Sequence, residues 1–296
     1  MTRRDGLRFP GGVLAGLFLL AAPAVAQRVF VSARNGSDLN PCTVASPCRT
    51  FGQAIATVAA GGEVIALDSG GYGPFTVTKA VAISVPEGIY AGISVASGNG
   101  ITISAGSSDQ VVLRGLTING AGGSNLIFTS SVGLLSVERC VLSGASAAGV
   151  EFDSPGTLLI SDSVVRNSTS GVSIEGSLLA RGVVDRSRLE HNLVGFGPIE
   201  VLAASVRDTV LAGNSYGVSS AAANPAASLD IDRCLIVNNG SGVWANNAGT
   251  VRVGNSTISG NGTAFSTMNG AAIESYGNNR MRGNSTLGSF TTVSLN

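Results

Sequence analysis

One stretch returns along the chain at a nearly fixed step, and no other feature constrains the fold as strongly. Ile231-Asp232-Arg233-Cys234-Leu235-Ile236-Val237-Asn238-Asn239-Gly240-Ser241-Gly242-Val243-Trp244 reads as apolar, charged pair, small residue, x, apolar, Asn, then Gly followed by apolar. The small residue recurs as Cys140, Ser163, Ser187, Thr209, Cys234, Ser256 and Asn279, at steps of 23, 24, 22, 25, 22 and 23 residues. A period in this range is the signature of a solenoid, in which each repeat buries its apolar face only against its neighbours.

Unrolling one coil assigns a side to each residue, because alternate strand positions face opposite ways. Leu229, Ile231, Cys234, Ile236, Val243 and Ala245 point inward. Asp232 and Arg233 lie outside at a bend, and Trp244 is outward on the third strand. Asn239 starts a turn, and Gly242 is read as supplying an unusual backbone angle there. The turn asparagines recur as Asn167, Asn192, Asn214, Asn239, Asn261 and Asn284. Stacked in register, their amides can bond along the axis. Phe128, Phe152, Phe196 and Phe265 are placed inward on the third strand, filling the core.

Composition agrees with a stacked β architecture. The chain has 41 glycines among 296 residues, 5% aromatics and 12% charged residues, too few charges for disorder by self-repulsion. Its 18 basic residues balance 18 acidic ones, and only Lys79 is a lysine. Nucleic acid, which needs a basic face, is therefore not an expected partner.

Residues 1–26 read as an export signal. Arg3, Arg4 and Arg8 form a basic head, Val13 to Ala22 an apolar middle, and Ala24-Val25-Ala26 an A-x-A cleavage site. Removing this segment takes away one acid as well, Asp5, and leaves a net charge of −2. No other stretch is long and apolar enough to cross a bilayer as a helix. Export to a secreted, periplasmic or cell-surface location permits disulfides. Cys42 and Cys48 share one polar loop and are read as paired. Cys140 and Cys234 sit four coils apart, about 19 Å at the spacing of stacked strands, too far to bridge, so both are expected as buried free thiols.

Arg28 to Val31 is a short strand. Thr50 to Ala60 carries the one strong helical pattern, with Phe51, Ala54, Ile55, Val58 and Ala59 on a single face. Thr50 and Gln53 fit a capping box, and Gly61-Gly62 ends the helix. A solenoid exposes apolar core at its ends, and this helix is read as the lid. Short strands follow at Val64 to Leu67, Phe75 to Val77, Val81 to Val85, Ile89 to Val95, Ile101 to Ile103 and Val111 to Ile118. The organisation expected is therefore a signal over residues 1–26, an N-terminal loop and capping helix over 27–62, and one β-helix of roughly ten coils over 63–296.

These residues resemble the right-handed parallel β-helix superfamily of pectate lyases and pectin lyase-like proteins. The likeness covers nearly the whole mature chain, including Gly36-Ser37-Asp38 through Pro47, then Phe51, Ala54-Ile55 and Gly71-Tyr72. It implies an all-β, right-handed parallel β-helix with an N-terminal capping helix, and polysaccharide as the natural ligand class. The Asn-Thr-Asp, Asp-Asp, Gly-His-Gly and Arg-x-Lys motifs of polygalacturonases are absent. The lone His191 sits in Glu190-His191-Asn192, read as a solvated turn.

Two constellations bear on function. Arg139, Asp162, Arg186, Asp208 and Arg233 form one row at the bend, beside Glu138, Ser161, Asp185, Arg207 and Asp232. Their alternating signs suit register between coils, whereas a charged ligand groove would show one sign. The outward face of the third strand is the second. The resemblance makes it the sheet that carries a polysaccharide groove. Glu151, Asp153 and Glu175 there are candidates to bind Ca²⁺ through oxygen, or to act as acid and base. Arg181 is read as lying in a nearby loop. Trp244, the only tryptophan, is the candidate sugar-stacking residue, about 14 Å from the Glu175 coil.

The expectation is a monomer that binds polysaccharide or acts at the cell surface without catalysis and without an obligatory cofactor. A calcium-assisted lyase or glycoside hydrolase, and a purely structural solenoid, are the alternatives.

Overall fold

The computed structural model describes residues 27–175, 179–199, 201–221, 227–247 and 249–294. The export signal expected over residues 1–26 lies outside them. Three parallel sheets of 12, 10 and 9 strands run the length of the solenoid. Each coil contributes one strand to each sheet. The Cys234 coil does so with Ser228–Asp232, Leu235–Val237 and Ser241–Asn246. Its strands pair in register with those of the following coil, as in Leu229↔Val251, Ile236↔Ile258 and Val243↔Phe265. The shortest sheet sets the number of complete coils at nine.

The bend between the first and second sheets shows why a small polar residue recurs there. The backbone N–H of Cys140 donates to Ser163 Oγ (3.1 Å), that of Ser163 to Ser187 Oγ (3.2 Å), that of Ser187 to Thr209 Oγ1 (3.2 Å) and that of Cys234 to Ser256 Oγ (3.0 Å). Each of these hydroxyls donates in turn to the carbonyl two residues earlier in its own coil, as Ser187 Oγ does to Asp185 at 2.8 Å. The column thus satisfies backbone donors that a bend inside a buried stack would otherwise orphan. Cys140 and Cys234 occupy it as buried free thiols, and Cys42 is disulfide-bonded to Cys48.

The turn between the second and third sheets corrects the register of the asparagine stack. Asn192, Asn214, Asn239, Asn261 and Asn284 form it, each Oδ1 accepting from the backbone N–H and, further along, the amide of the preceding coil. Asn167 is not a member. It stands one residue earlier, at φ 56°, in the left-handed column that His191 and Asn238 share. Ser168 takes the stacking place, accepting from Ala145 N at 3.2 Å and donating its backbone N–H to Asn192 Oδ1 at 3.0 Å. Gly242 is not left-handed either. A Cβ there would lie 2.7 Å from the Ala264 carbonyl oxygen, so glycine is required by the close approach of the next coil.

Three other expectations change. Val111 to Ile118 is two strands, Gln110–Arg114 and Leu116–Gly120, because Gly115 at φ 74° makes the bend between sheets. Phe128 pairs with Glu151 and so faces outward; Thr129 takes the inward place opposite Phe152. Arg181 opens the first-sheet strand Arg181–Asp185 and is not in a loop.

The helix is shorter than its pattern, Phe51–Thr57, and buries Phe51, Ala54 and Ile55. Thr50 caps it by accepting from Gln53 N (3.2 Å). The reciprocal half of the capping box is missing, since Thr50 N donates to Asp38 Oδ1 (2.9 Å) and Gln53 turns to Thr57. Val58 is extended and ends the helix, and Lys79 Nζ donates to its carbonyl (2.6 Å). Ala59 is exposed as a result. The lid packs through Phe51 against Tyr72 and Phe75, with ring centroids 4.8 and 5.0 Å away. Below it, Asp68 accepts from Ser32 Oγ (2.6 Å), Ala33 N (2.7 Å) and Tyr72 Oη (2.9 Å), tying the first strand to the first coil.

Candidate functional site

The charges at the bend resolve first. Arg186 holds Asp162 of the preceding coil with two bonds of 2.9 and 3.0 Å. Arg233 holds Asp208 the same way, at 2.8 Å for each bond. In the neighbouring row Arg114 pairs with Glu138 (2.8 Å) and Arg207 with Asp185 (3.2 Å). The bonds from Arg186 hold the Asp162 carboxyl below its usual range. Those from Arg233 do the same for Asp208. The row residues adopt left-handed angles, from φ 44° at Arg186 to 52° at Asp162, a conformation disfavoured for side chains other than Gly, Asn and Asp. The coil-to-coil bonds offset that strain, and neutralised partners leave little net field for a charged ligand.

The outward face of the third sheet is less committed to the fold. Register places Phe128, Glu151 and Ser173 in one row, with Ser219, Trp244 and Ser266 further along it. Gly197, level with Ser173, bridges the two halves. Asp153 and Glu175 pair beside this row. The three candidate carboxylates therefore occupy two adjacent strands. Ser173 Oγ donates to Glu175 Oε1 at 2.8 Å. Partial burial pushes the Glu151 carboxyl above its usual range, and the Glu175 charge, then that of Asp153, push it further against one bond from Asn125. Among the described residues no group of three or more His, Cys, Asp or Glu has the spacing to hold a metal ion. The carboxylates share a patch without closing on one point.

Trp244 projects from this row, half-buried. Its ring is 5.8 Å from that of Tyr216, with the planes at 55°, within the range of favourable aromatic pairs. Tyr216 is 37% exposed, so the pair keeps an open surface. Sequence reading passed over Tyr216. The signal available is an aromatic where the stacked coils carry Val194 and Ser241. The floor between Glu151 and Trp244 is made of small residues, and Ser173 is only 4% exposed although it faces outward. The face is thus a shallow trough with acids at one end and an aromatic pair at the other. Arg181, on the first sheet, belongs to a different face, and His191 is an exposed turn residue.

Residues 99–285, more than half of the chain, match the family described as right handed beta helix region. The chain belongs to the right-handed parallel β-helix family. Among solved structures it is similar to pectate lyase Pel9A, at 16% identity and a TM-score of 0.69, covering 92% of this chain and 78% of that one. It is also similar to XylC in complex with xylose, at 9% identity and a TM-score of 0.66, covering 86% and 70%. The A-module of the Azotobacter vinelandii mannuronan C-5 epimerase AlgE4 follows at 13% identity, a TM-score of 0.51, and 92% and 90% coverage. Identities this low establish the fold of the β-helix and no particular activity. No curated protein sequence matches the chain.

Proposed function

We propose that this β-helix protein is exported and binds a saccharide on its third sheet without transforming it. The half-open Tyr216–Trp244 pair carries the reading. A flat aromatic surface stacks on the apolar face of a sugar ring, and in a chain with 5% aromatics two such rings on the surface of a sheet have no core to fill. The carboxylates of Glu175, about 14 Å away along the trough, and of Glu151 and Asp153, about 19 Å away, then accept bonds from sugar hydroxyls. Three acids repel an acidic polysaccharide, so a neutral one fits this face. The relatives that bind or act on saccharides, a pectate lyase and a xylose complex among them, support the ligand class. The Cys42–Cys48 disulfide supports an oxidising compartment.

A glycan array probed with residues 27–296 tests this directly. Retention of neutral glycans is expected, and Trp244→Ala should weaken it by about 1 kcal/mol or more. Loss of melting temperature with glycan retention intact would instead make Trp244 a structural residue. The raised Glu151 carboxyl favours one second reading, a carboxylate acid in a polysaccharide-cleaving enzyme. A depolymerisation screen with and without Ca²⁺ decides between the two, since the binding reading predicts no cleavage in either condition.

A further inference from the structure

The C-terminal end of the solenoid carries a separate feature. A cleft of about 550 Å³ opens beside the last strand of the second sheet, Thr257–Ser259, and is lined by Thr257, Ser259, Asn279, Arg280, Met281 and Arg282. A smaller cleft of about 230 Å³ adjoins it, and Thr257 and Arg280 line both. No carboxylate lines either one.

The arginines here differ from those of the preceding coils. Arg207, Arg233 and Arg252 each face a carboxylate, at 3.2, 2.8 and 3.1 Å. Arg280 and Arg282 have no ion pair and no side-chain hydrogen bond among the described residues. Asp232, at the margin through Asn255, is already held by Arg233. The backbone beneath Arg280 is fixed, because its N–H donates to the Ser256 carbonyl (2.8 Å) and its carbonyl accepts from Ile258 N (2.9 Å). Met281 packs partly buried against the core and holds the segment from below. Asn279 is spent on the bend column and on the Val253 carbonyl. The open donors are therefore two guanidinium groups and the hydroxyls of Thr257 and Ser259.

We propose that this cleft binds a small ligand by its oxyanion, a phosphate, sulfate or carboxylate group gripped by Arg280 and Arg282. Guanidinium forks match the geometry of these groups and form strong charge-assisted bonds with them. The fixed backbone at Arg280 lowers the ordering cost of binding. The cleft is larger than a bare anion needs, and its remaining wall of hydroxyls suits a sugar or similar polar body. The site is on a different sheet from the Trp244 trough and stands independently of it.

The test uses residues 27–296 and measures melting temperature at matched ionic strength. The additions are sodium chloride, inorganic phosphate, a hexose monophosphate and the same hexose without phosphate. Saturable stabilisation by phosphate or by the hexose phosphate is expected, with the plain hexose no different from chloride. Equal effects of the two phosphate forms mean that the anion alone is recognised; a larger effect of the ester means that the rest of the cleft contributes. The Arg280→Gln, Arg282→Gln double variant should lose at least about tenfold in affinity. Arg282→Gln alone, whose backbone takes no part in the sheet, keeps the test valid if the double variant folds poorly. No effect of either phosphate form, an equal effect of the plain hexose, or an undiminished effect in the variants overturns the proposal.

Discussion

The asparagine stack gives the sharpest stability prediction, at Asn239. Its side chain is 3% exposed. Oδ1 accepts from Asn214 N (2.9 Å) and Asn214 Nδ2 (3.0 Å), and Nδ2 donates to the Leu211 carbonyl (3.0 Å) and Asn261 Oδ1 (3.0 Å). Asn239→Ala leaves the buried Asn214 N–H without a partner and takes from the Leu211 carbonyl the bond it accepts beside its sheet ladder. A buried orphaned group costs about 1–3 kcal/mol, a sizeable part of the stability of an ordinary domain. Serine already serves in this column as Ser168, bonding Ala145 N and the Arg166 carbonyl, both at 3.2 Å. Asn239→Ser should therefore recover about half of the loss. Asn167→Gly, one residue outside the stack, keeps a left-handed angle available and gives up one exposed bond of 3.3 Å to Ser143; it should change stability by less than about 0.5 kcal/mol. Urea unfolding of the three variants supplies the numbers. A loss under about 1 kcal/mol for Asn239→Ala, or equal losses at positions 167 and 239, would refute this account of the turn.

Thr129 is fully buried and its hydroxyl has no partner, so Thr129→Val should stabilise by about 1 kcal/mol, read as a higher urea midpoint. Burial pushes the Cys140 thiol up to about 11 and the Cys234 thiol up to about 12; both should resist iodoacetamide in native buffer and react in denaturant, where early labelling would contradict their inward placement. Partial burial raises the Asp68 carboxyl, but bonds from Ser32, Ala33, Tyr72 and Arg34 outweigh it and hold the group below its ordinary 3.8. Its contribution is complete above pH 3.8 and is lost as pH falls through the lower folded value. Asp68→Asn should thus lower the melting temperature at pH 7, and its difference from the parent should narrow as pH falls below 3.8.

The period of the repeat made much of this molecule legible. Once Cys140, Ser163, Ser187, Thr209, Cys234, Ser256 and Asn279 are stacked, inward and outward follow from strand alternation, and the alternating bend charges become partners across coils. What stayed hidden depends on atoms of a neighbouring coil. Asn167 and Ser168 are adjacent and both polar, and only the left-handed angle tells which one turns and which one stacks. Gly242 is demanded by the Ala264 carbonyl, an approach that no local signal announces. Phe128 went to the wrong face because loop lengths between coils vary, and a slip of one residue reverses the side of a strand. Tyr216 meets Trp244 diagonally across two strands, a contact that register and ring reach decide together. The candidate face was thus visible as a face, while the aromatic partner of Trp244 was not.

The most direct test of the proposed saccharide site uses the single tryptophan as its reporter. Emission of residues 27–296 is recorded while a neutral oligosaccharide retained on the array is titrated in, with iodide quenching at each end. Binding at the trough predicts a saturable shift to shorter wavelength and protection from iodide, as a sugar ring replaces water on the Trp244 face. A glycan that binds while Trp244 emission and quenching stay unchanged would contradict the placement of the site on the third sheet.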